Sequence, residues 1–131
     1  EKRFALESRQ ILIDKLSEFL SSLHLNCKIE TANDPFFMNK AAMKSVFQNS
    51  NNLKYELLAA IPHQKKDLAV GSINYHMDMF SSAFEIKVPS GSLAHSGCIG
   101  IGMERMAFAL FCQHGEQVSD WPIKVQSFLD L

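Results

Sequence analysis

The sequence predicts an α+β fold in which an antiparallel β-sheet is flanked by helices, and three observations carry that prediction. Apolar residues recur at helical spacing near both ends of the chain. Between them lie runs with the period of two that marks a half-buried strand. These runs are joined by short loops, which suit an antiparallel meander rather than parallel crossovers.

Each element follows from its residues. Leu12, Leu16, Phe19, Leu20 and Leu23 place one apolar stripe on an amphipathic helix from about Ala5 to Leu23. "NCKIET" reads as a short strand, and "NDP" as a turn, because Pro35 biases Asp34 away from helical angles. The polar stretch 39–52, with its closing Asn/Ser cluster, is read as a helix or a loop. Leu53, Tyr55, Leu57, Ala59 and Ile61 share one face of a strand, and Lys54 and Glu56 begin the other. Leu68–Tyr75 and Ala83–Val88 are the next predicted strands, and "PSGS" offers a hairpin connection into a last strand, Leu93–Gly102. Met103, Met106, Ala107, Leu110 and Phe111 then recur at helical spacing, and Gly115 is a natural stop. Trp121 and Pro122 read as a clasp beyond that helix.

Composition narrows the function. A chain of 131 residues that is 47% apolar is long enough for one domain with a core, or for part of one. The net charge is −1 and the 13 basic residues are scattered, so no basic stripe marks a nucleic-acid footprint, and direct tRNA binding is not expected. No apolar run approaches the roughly 20 residues of a membrane span, and the opening decapeptide lacks the apolar centre of a signal peptide. A soluble cytoplasmic protein is the expectation. Cys27, Cys98 and Cys112 are widely spaced and include no C-x-x-C, which points to reduced thiols. The chain opens on Glu1 and enters a helical pattern at once, so it reads as a piece of something longer.

The segment "SGCIGIGMERMAFALFCQHG", residues 96–115, is the most informative. Gly100 and Gly102 alternate, so both lie on one face of a strand and clear it for a neighbouring backbone, a flat ligand or the following helix. Arg105 stands in the first turn of that helix, where the macrodipole disfavours a cation by about 0.3–1 kcal/mol, and its apolar neighbours offer no partner. Glu104, one position away, faces elsewhere. A phosphate or a nucleotide base would satisfy the guanidinium; a remote carboxylate such as Glu56 is the alternative. Ser72, Asn74 and His76 also alternate, giving one polar strand face that is either solvated or ligand-bearing. Lys54 and Glu56 either reach the same place or are solvated. Cys98 is either a small strand-end hydrophobe or a ligand.

The strand with spaced glycines that runs into an Arg-bearing helix resembles motif 3 of the class II aminoacyl-tRNA synthetases. "ANDPFF", "LKYELL", "SINYHMDMF", "AHSGCIGIGMERMAFALFCQHG" and "DWP", in that order over about residues 4–122, resemble the amino acid:carrier protein ligases, truncated relatives of the methanogen-type seryl-tRNA synthetases. The resemblance implies a partial class II synthetase-like catalytic core, with residues 1–131 as its C-terminal portion and motif 3 at 96–115. It implies activation of glycine or alanine by ATP and Mg²⁺ to an aminoacyl-adenylate. The aminoacyl group then passes to the phosphopantetheine thiol of a carrier protein, and the full-length protein is expected to be a homodimer. It assigns ATP to Arg105, with Gly100, Gly102, Asn74, Ser72 and Glu56 around the nucleotide and substrate. It assigns to Cys98 one ligand of a Zn²⁺ that holds the substrate amine. The family's other two zinc ligands, a Cys and a Glu, and its motifs 1 and 2 precede the matched stretch and are not seen in this chain, so the isolated chain is expected to be inactive. His95, His76 and Cys27 are the local substitutes for the missing ligands. The alternatives are an inactive synthetase-like binding or regulatory module, or a fragment of a seryl-type tRNA ligase. Asn33 and Asp34 are explained by turn chemistry and are secondary candidates.

Overall fold

A computed structural model describes residues 2–32 and 53–131. Helix α1 (Lys2–Ser22) leads into β1 (Cys27–Thr31); β2 (Lys54–Ala59) and β3 (Leu68–Met77) follow. A short helix α2 (Met79–Phe84) precedes β4 (Ser96–Ile101), which runs into α3 (Met103–His114). A 3₁₀ turn at Val118–Asp120 and helix α4 (Ile123–Phe128) complete the described chain. The predicted turn at "NDP" and the segment 39–52 lie outside the described residues.

The four strands form one antiparallel sheet in the order β1-β2-β3-β4. Alternation gives its two faces opposite characters. Leu57, Ala59 and Ile73 point into a core shared with Leu20 and Leu23 of α1, Ala109 and Leu110 of α3, and Trp121 and Val125 beyond it. The other face carries Lys54, Glu56, Ser72, Asn74, Cys98 and Gly100, which the register sets side by side: Glu56 faces Ser72, Lys54 faces Asn74, Ser72 faces Gly100 and Asn74 faces Cys98. Helices therefore cover one face, and the polar face remains for a site.

Two irregularities in β3 shape that site. The register shifts between Leu57 and Leu58 opposite Val70, and again between Tyr75 and Met77, which makes His76 the extra residue of a bulge. Bulges bend a strand and re-aim side chains. At the first, Val70 is buried and its carbonyl accepts the Gly102 N–H at 2.8 Å, which pins the start of α3 to β3.

The predicted strand Ala83–Val88 is not one. Met79–Phe84 is helical, held by the Ser81 hydroxyl, which bonds the carbonyls of Asp78 and Ala94, and closed by Glu85 at a φ of 54°. The alternating Phe84 and Ile86 are 71% and 52% exposed, so their period of two reflects no buried face. The hairpin itself is present: Val88 N–H bonds Ser92 O at 2.9 Å and Gly91 takes a φ of 88°. Its arms make an isolated bridge, Lys87 to Leu93, and the final strand begins later than predicted, at Ser96. The clasp is also present, since Trp121 is buried, donates to Gly115 O at 2.9 Å and meets Phe111 edge-on.

Candidate functional site

The start of α3, the end of β4 and the polar face of β2 and β3 enclose an open cleft of about 460 Å³. Arg105, Gly100, Gly102, Ser72, Glu56 and Lys54 line it, with the backbone of 69–71 beneath. Five of the residues selected from sequence are thereby brought together. The volume lies within the roughly 300–1,000 Å³ range of small-molecule sites.

Arg105 corrects the sequence reading in one respect. It is not without a partner, because Nη1 donates to the carbonyl of Ala69 at 3.0 Å. That carbonyl belongs to the bulge that also receives Gly102, so the bulge orients both the helix and the side chain. Among the described residues no carboxylate pairs with Arg105, and Glu56 is engaged elsewhere: it pairs with Lys54 at 3.2 Å. The guanidinium keeps donors that one carbonyl cannot use. The Lys54 side chain is 13% exposed, so this ion pair lines the cleft and is not a solvated face.

The two glycines separate in role. A Cβ built on Gly100 would meet nothing within 4 Å, so Gly100 is not there for the packing of the next helix; it leaves the cleft floor bare. A Cβ on Gly102 would make ordinary contacts with Arg105 at 3.6 Å. The tight positions were missed by spacing arguments: Gly71, whose Cβ would lie 2.8 Å from Gly100 O, and Gly97, whose Cβ would lie 2.7 Å from Asn74 O.

Asn74 lines a second hollow, about 430 Å³, between α1 and β4, together with Cys98, His95, Arg9 and Leu12. Its amide nitrogen donates to Ser72 Oγ at 3.1 Å and lies 3.5 Å from Cys98 Sγ, both on the polar face of the sheet. Cys98 is exposed, which corrects its reading as a buried hydrophobe. Its sulfur lies 3.6 Å from His76 Nε2. Of the other substitutes, His95 is engaged through Nδ1 with the Tyr75 hydroxyl, and Cys27 stands on β1, at the opposite edge of the sheet. Burial raises the Cys27 thiol above its ordinary 9.0. It also raises the Tyr75 phenol, against the opposing charge of Arg9. Among the described residues no three His, Cys, Asp or Glu side chains gather to hold a metal. A structural or catalytic zinc takes at least three protein ligands, so the described residues alone do not make the expected zinc site.

Comparison with known proteins gives the same direction. No family model matches the chain. It is 39% identical over 109 residues to amino acid--[acyl-carrier-protein] ligase 1 of Bradyrhizobium diazoefficiens, covering 83% of this chain and 33% of that protein. It is 37% identical over 123 residues to ligase 2 of the same organism, covering 94% and 37%. It is 26% identical over 129 residues to the type-2 serine--tRNA ligase of Methanopyrus kandleri, covering 93% and 24%. The chain spans about a third of the length of the ligases it matches. In structure it matches the SerRS of the crystal structure of A. aeolicus tRNASec in complex with M. kandleri SerRS, at a TM-score of 0.81 and 24% identity over 99% of this chain and 26% of that one. The sheet is thus part of a class II synthetase-like fold, and the chain is a homologue, over part of their length, of proteins named amino acid--[acyl-carrier-protein] ligase and type-2 serine--tRNA ligase.

Proposed function

We propose that the complete protein activates a small amino acid, glycine or alanine, with ATP and passes it to the phosphopantetheine thiol of a carrier protein. The observation that carries this reading is the open cleft in front of Arg105, floored by a glycine that presents no side chain and walled by a lysine and a polar strand face. In such a reaction the amino acid carboxylate attacks the α-phosphorus of ATP and pyrophosphate leaves. The carrier thiol then attacks the acyl carbon and AMP leaves. Positioning and charge neutralisation supply most of the catalysis.

This chain's residues have definable parts in that scheme. Arg105, held by the Ala69 carbonyl, presents its remaining N–H donors to the nucleotide. Gly100 lets a flat group rest on the strand. Ser72 and Asn74 offer a hydroxyl and an amide, and the carboxylate of Glu56 is suited to a Mg²⁺ that would neutralise the phosphates. Cys98 offers one exposed sulfur on the same polar face. The named relatives act on carrier protein, and that partner is extended to the complete protein, as a dimer, on their likeness.

The test is amino-acid-dependent exchange of pyrophosphate into ATP by the complete protein, across a panel that includes glycine, alanine and serine. Exchange with a small amino acid, followed by a mass increase on holo-carrier protein but not on tRNA, is the expected result. No exchange with any amino acid identifies instead an inactive synthetase-like binding module.

A further inference from the structure

We propose that Tyr75 and His95 are positioning residues: their hydrogen bond latches the entry of β4 onto β3 and so sets where Cys98 and Asn74 stand on the polar face. The latch stands on contacts alone; its consequence for kinetics rests on the reaction proposed above.

Little else holds the first half of β4. It is the outer strand of the described sheet and is exposed over residues 97–101, so burial contributes little there. The backbone ladder to β3 is also interrupted at this end: Tyr75 pairs with Gly97 and Met77 with Ser96, which makes His76 the inserted residue. Side chains take over where the ladder breaks. Residues 94, 95 and 96 each meet one side chain from β3 or α2: the Ser81 hydroxyl donates to the Ala94 carbonyl at 2.5 Å, the Tyr75 hydroxyl bonds His95 Nδ1, and His76 Nδ1 lies 3.4 Å from Ser96 Oγ.

The Tyr75–His95 contact is the most enclosed of the three. Tyr75 is buried and its ring stacks on the imidazole at 5.7 Å between centroids, while the Arg9 guanidinium of α1 stands 5.8 Å over the same ring and 5.1 Å over Tyr55. Burial raises the phenol above its ordinary value, so the hydroxyl keeps its proton through neutral pH and donates it, and His95 accepts at Nδ1 with its own proton on Nε2. Next along β4, Gly97 lies so close to β3 that a Cβ would meet Asn74 O at 2.7 Å, and Asn74 Nδ2 reaches Cys98 Sγ at 3.5 Å. The far end of β4 has its own anchor, the Gly102 N–H on Val70 O at 2.8 Å. Opening the latch therefore loosens 96–98 and leaves 102–105 in place. In the proposed reaction the nucleotide occupies the Arg105 end, so the amino acid joined to its α-phosphate extends along the face toward Asn74 and Cys98.

Hydrogen exchange resolved to single amides, on the complete protein, tests the latch. Tyr75→Phe removes the hydroxyl and keeps the ring; His95→Ala removes the acceptor. Each should speed exchange of the 96–98 amides about 2–10-fold, the worth of one net hydrogen bond, and leave the Gly102 amide unchanged. Because the two substitutions delete one interaction, the double variant should exchange no faster than either single variant. His95→Asn, which can offer an oxygen where Nδ1 stood, should restore part of the protection. In amino-acid-dependent pyrophosphate exchange, Tyr75→Phe should raise KM for the amino acid by a similar factor with KM for ATP unchanged, a split that general destabilisation does not produce. Unaltered exchange at 96–98, additive effects of the two substitutions, or an equal rise in KM for ATP overturns the proposal. A wild-type protein without pyrophosphate exchange removes the ligase reading instead, and amide exchange then decides the latch by itself.

Discussion

At the scale of single residues, the sheet separates a glycine that opens onto the cleft from glycines whose missing side chain makes room for a neighbouring backbone. Gly100 has open space where a side chain would go, and Gly97 has the Asn74 carbonyl there at 2.7 Å. Gly100→Val should leave the urea midpoint nearly unchanged and obstruct the cleft, reducing ATP binding. Gly97→Ala should cost about 1–3 kcal/mol of stability through overpacking against a carbonyl that the ladder holds in place. Equal destabilisation of both variants would contradict the distinction. Arg105, Gly100 and Gly102 were legible in the sequence because a cation among apolar neighbours, after alternating glycines, is an arrangement with few purely local explanations. Gly71 and Gly97 were not, since the carbonyls that exclude their side chains belong to neighbouring strands, and spacing along one strand carries no information about the next.

At the scale of elements, periodicity located the first helix, β2, β3 and the helix that became α3, each of which has buried residues on one face, whereas β4, exposed over nearly all its length, was legible through the hairpin that precedes it. It failed over 83–88, where Phe84 and Ile86 alternate without being buried and local hydroxyl bonds from Ser81 favour a helical turn upstream. The bulges at Val70 and His76 were invisible for a related reason: a register shift is a property of two strands. The connection between α3 and the sheet was also missed. Gln113 accepts the Asn26 N–H at 2.7 Å and donates to the carbonyls of Asn26 and Ala60, at 3.2 and 2.7 Å, tying α3 to the ends of β1 and β2. Gln113→Ala should cost about 1–3 kcal/mol in chemical denaturation, because it strands backbone groups whose partners are gone. Leu57→Ala, which empties a fully buried site in the core, should cost about 2–5 kcal/mol. A Gln113→Ala cost near zero would mean that water replaces the clamp without loss.

At the scale of the whole molecule, no helix among the described residues is long and apolar enough to cross a membrane. The larger context was legible only through the ordered segments of the resemblance, because a chain that spans about a third of its relatives carries too few site residues to declare a reaction by itself. Titration gives a global prediction. Burial raises Cys27 from 9.0 and Tyr75 from 10.0, and hydrogen bonds to Glu30 and then Asp67 raise Lys28 from 10.5. In each case the folded state binds its proton more tightly than the unfolded state. The stabilisation is therefore complete below the ordinary values and lost as pH rises through the raised ones. Thermal melts should show this part of the stability flat through neutral pH and falling from about pH 9 upward. A maximum above pH 10 would contradict these assignments.

The central claim is that the cleft before Arg105 receives a nucleotide, and calorimetric titration of the complete protein with ATP tests it most directly. Replacing Arg105 by alanine should weaken ATP binding by about 10–100-fold, the worth of roughly 1.5–3 kcal/mol in charge-assisted hydrogen bonds, with the melting temperature nearly unchanged. Lysine should restore only part of the loss, because it cannot present the planar fork. Undiminished ATP affinity in the alanine variant would contradict the account.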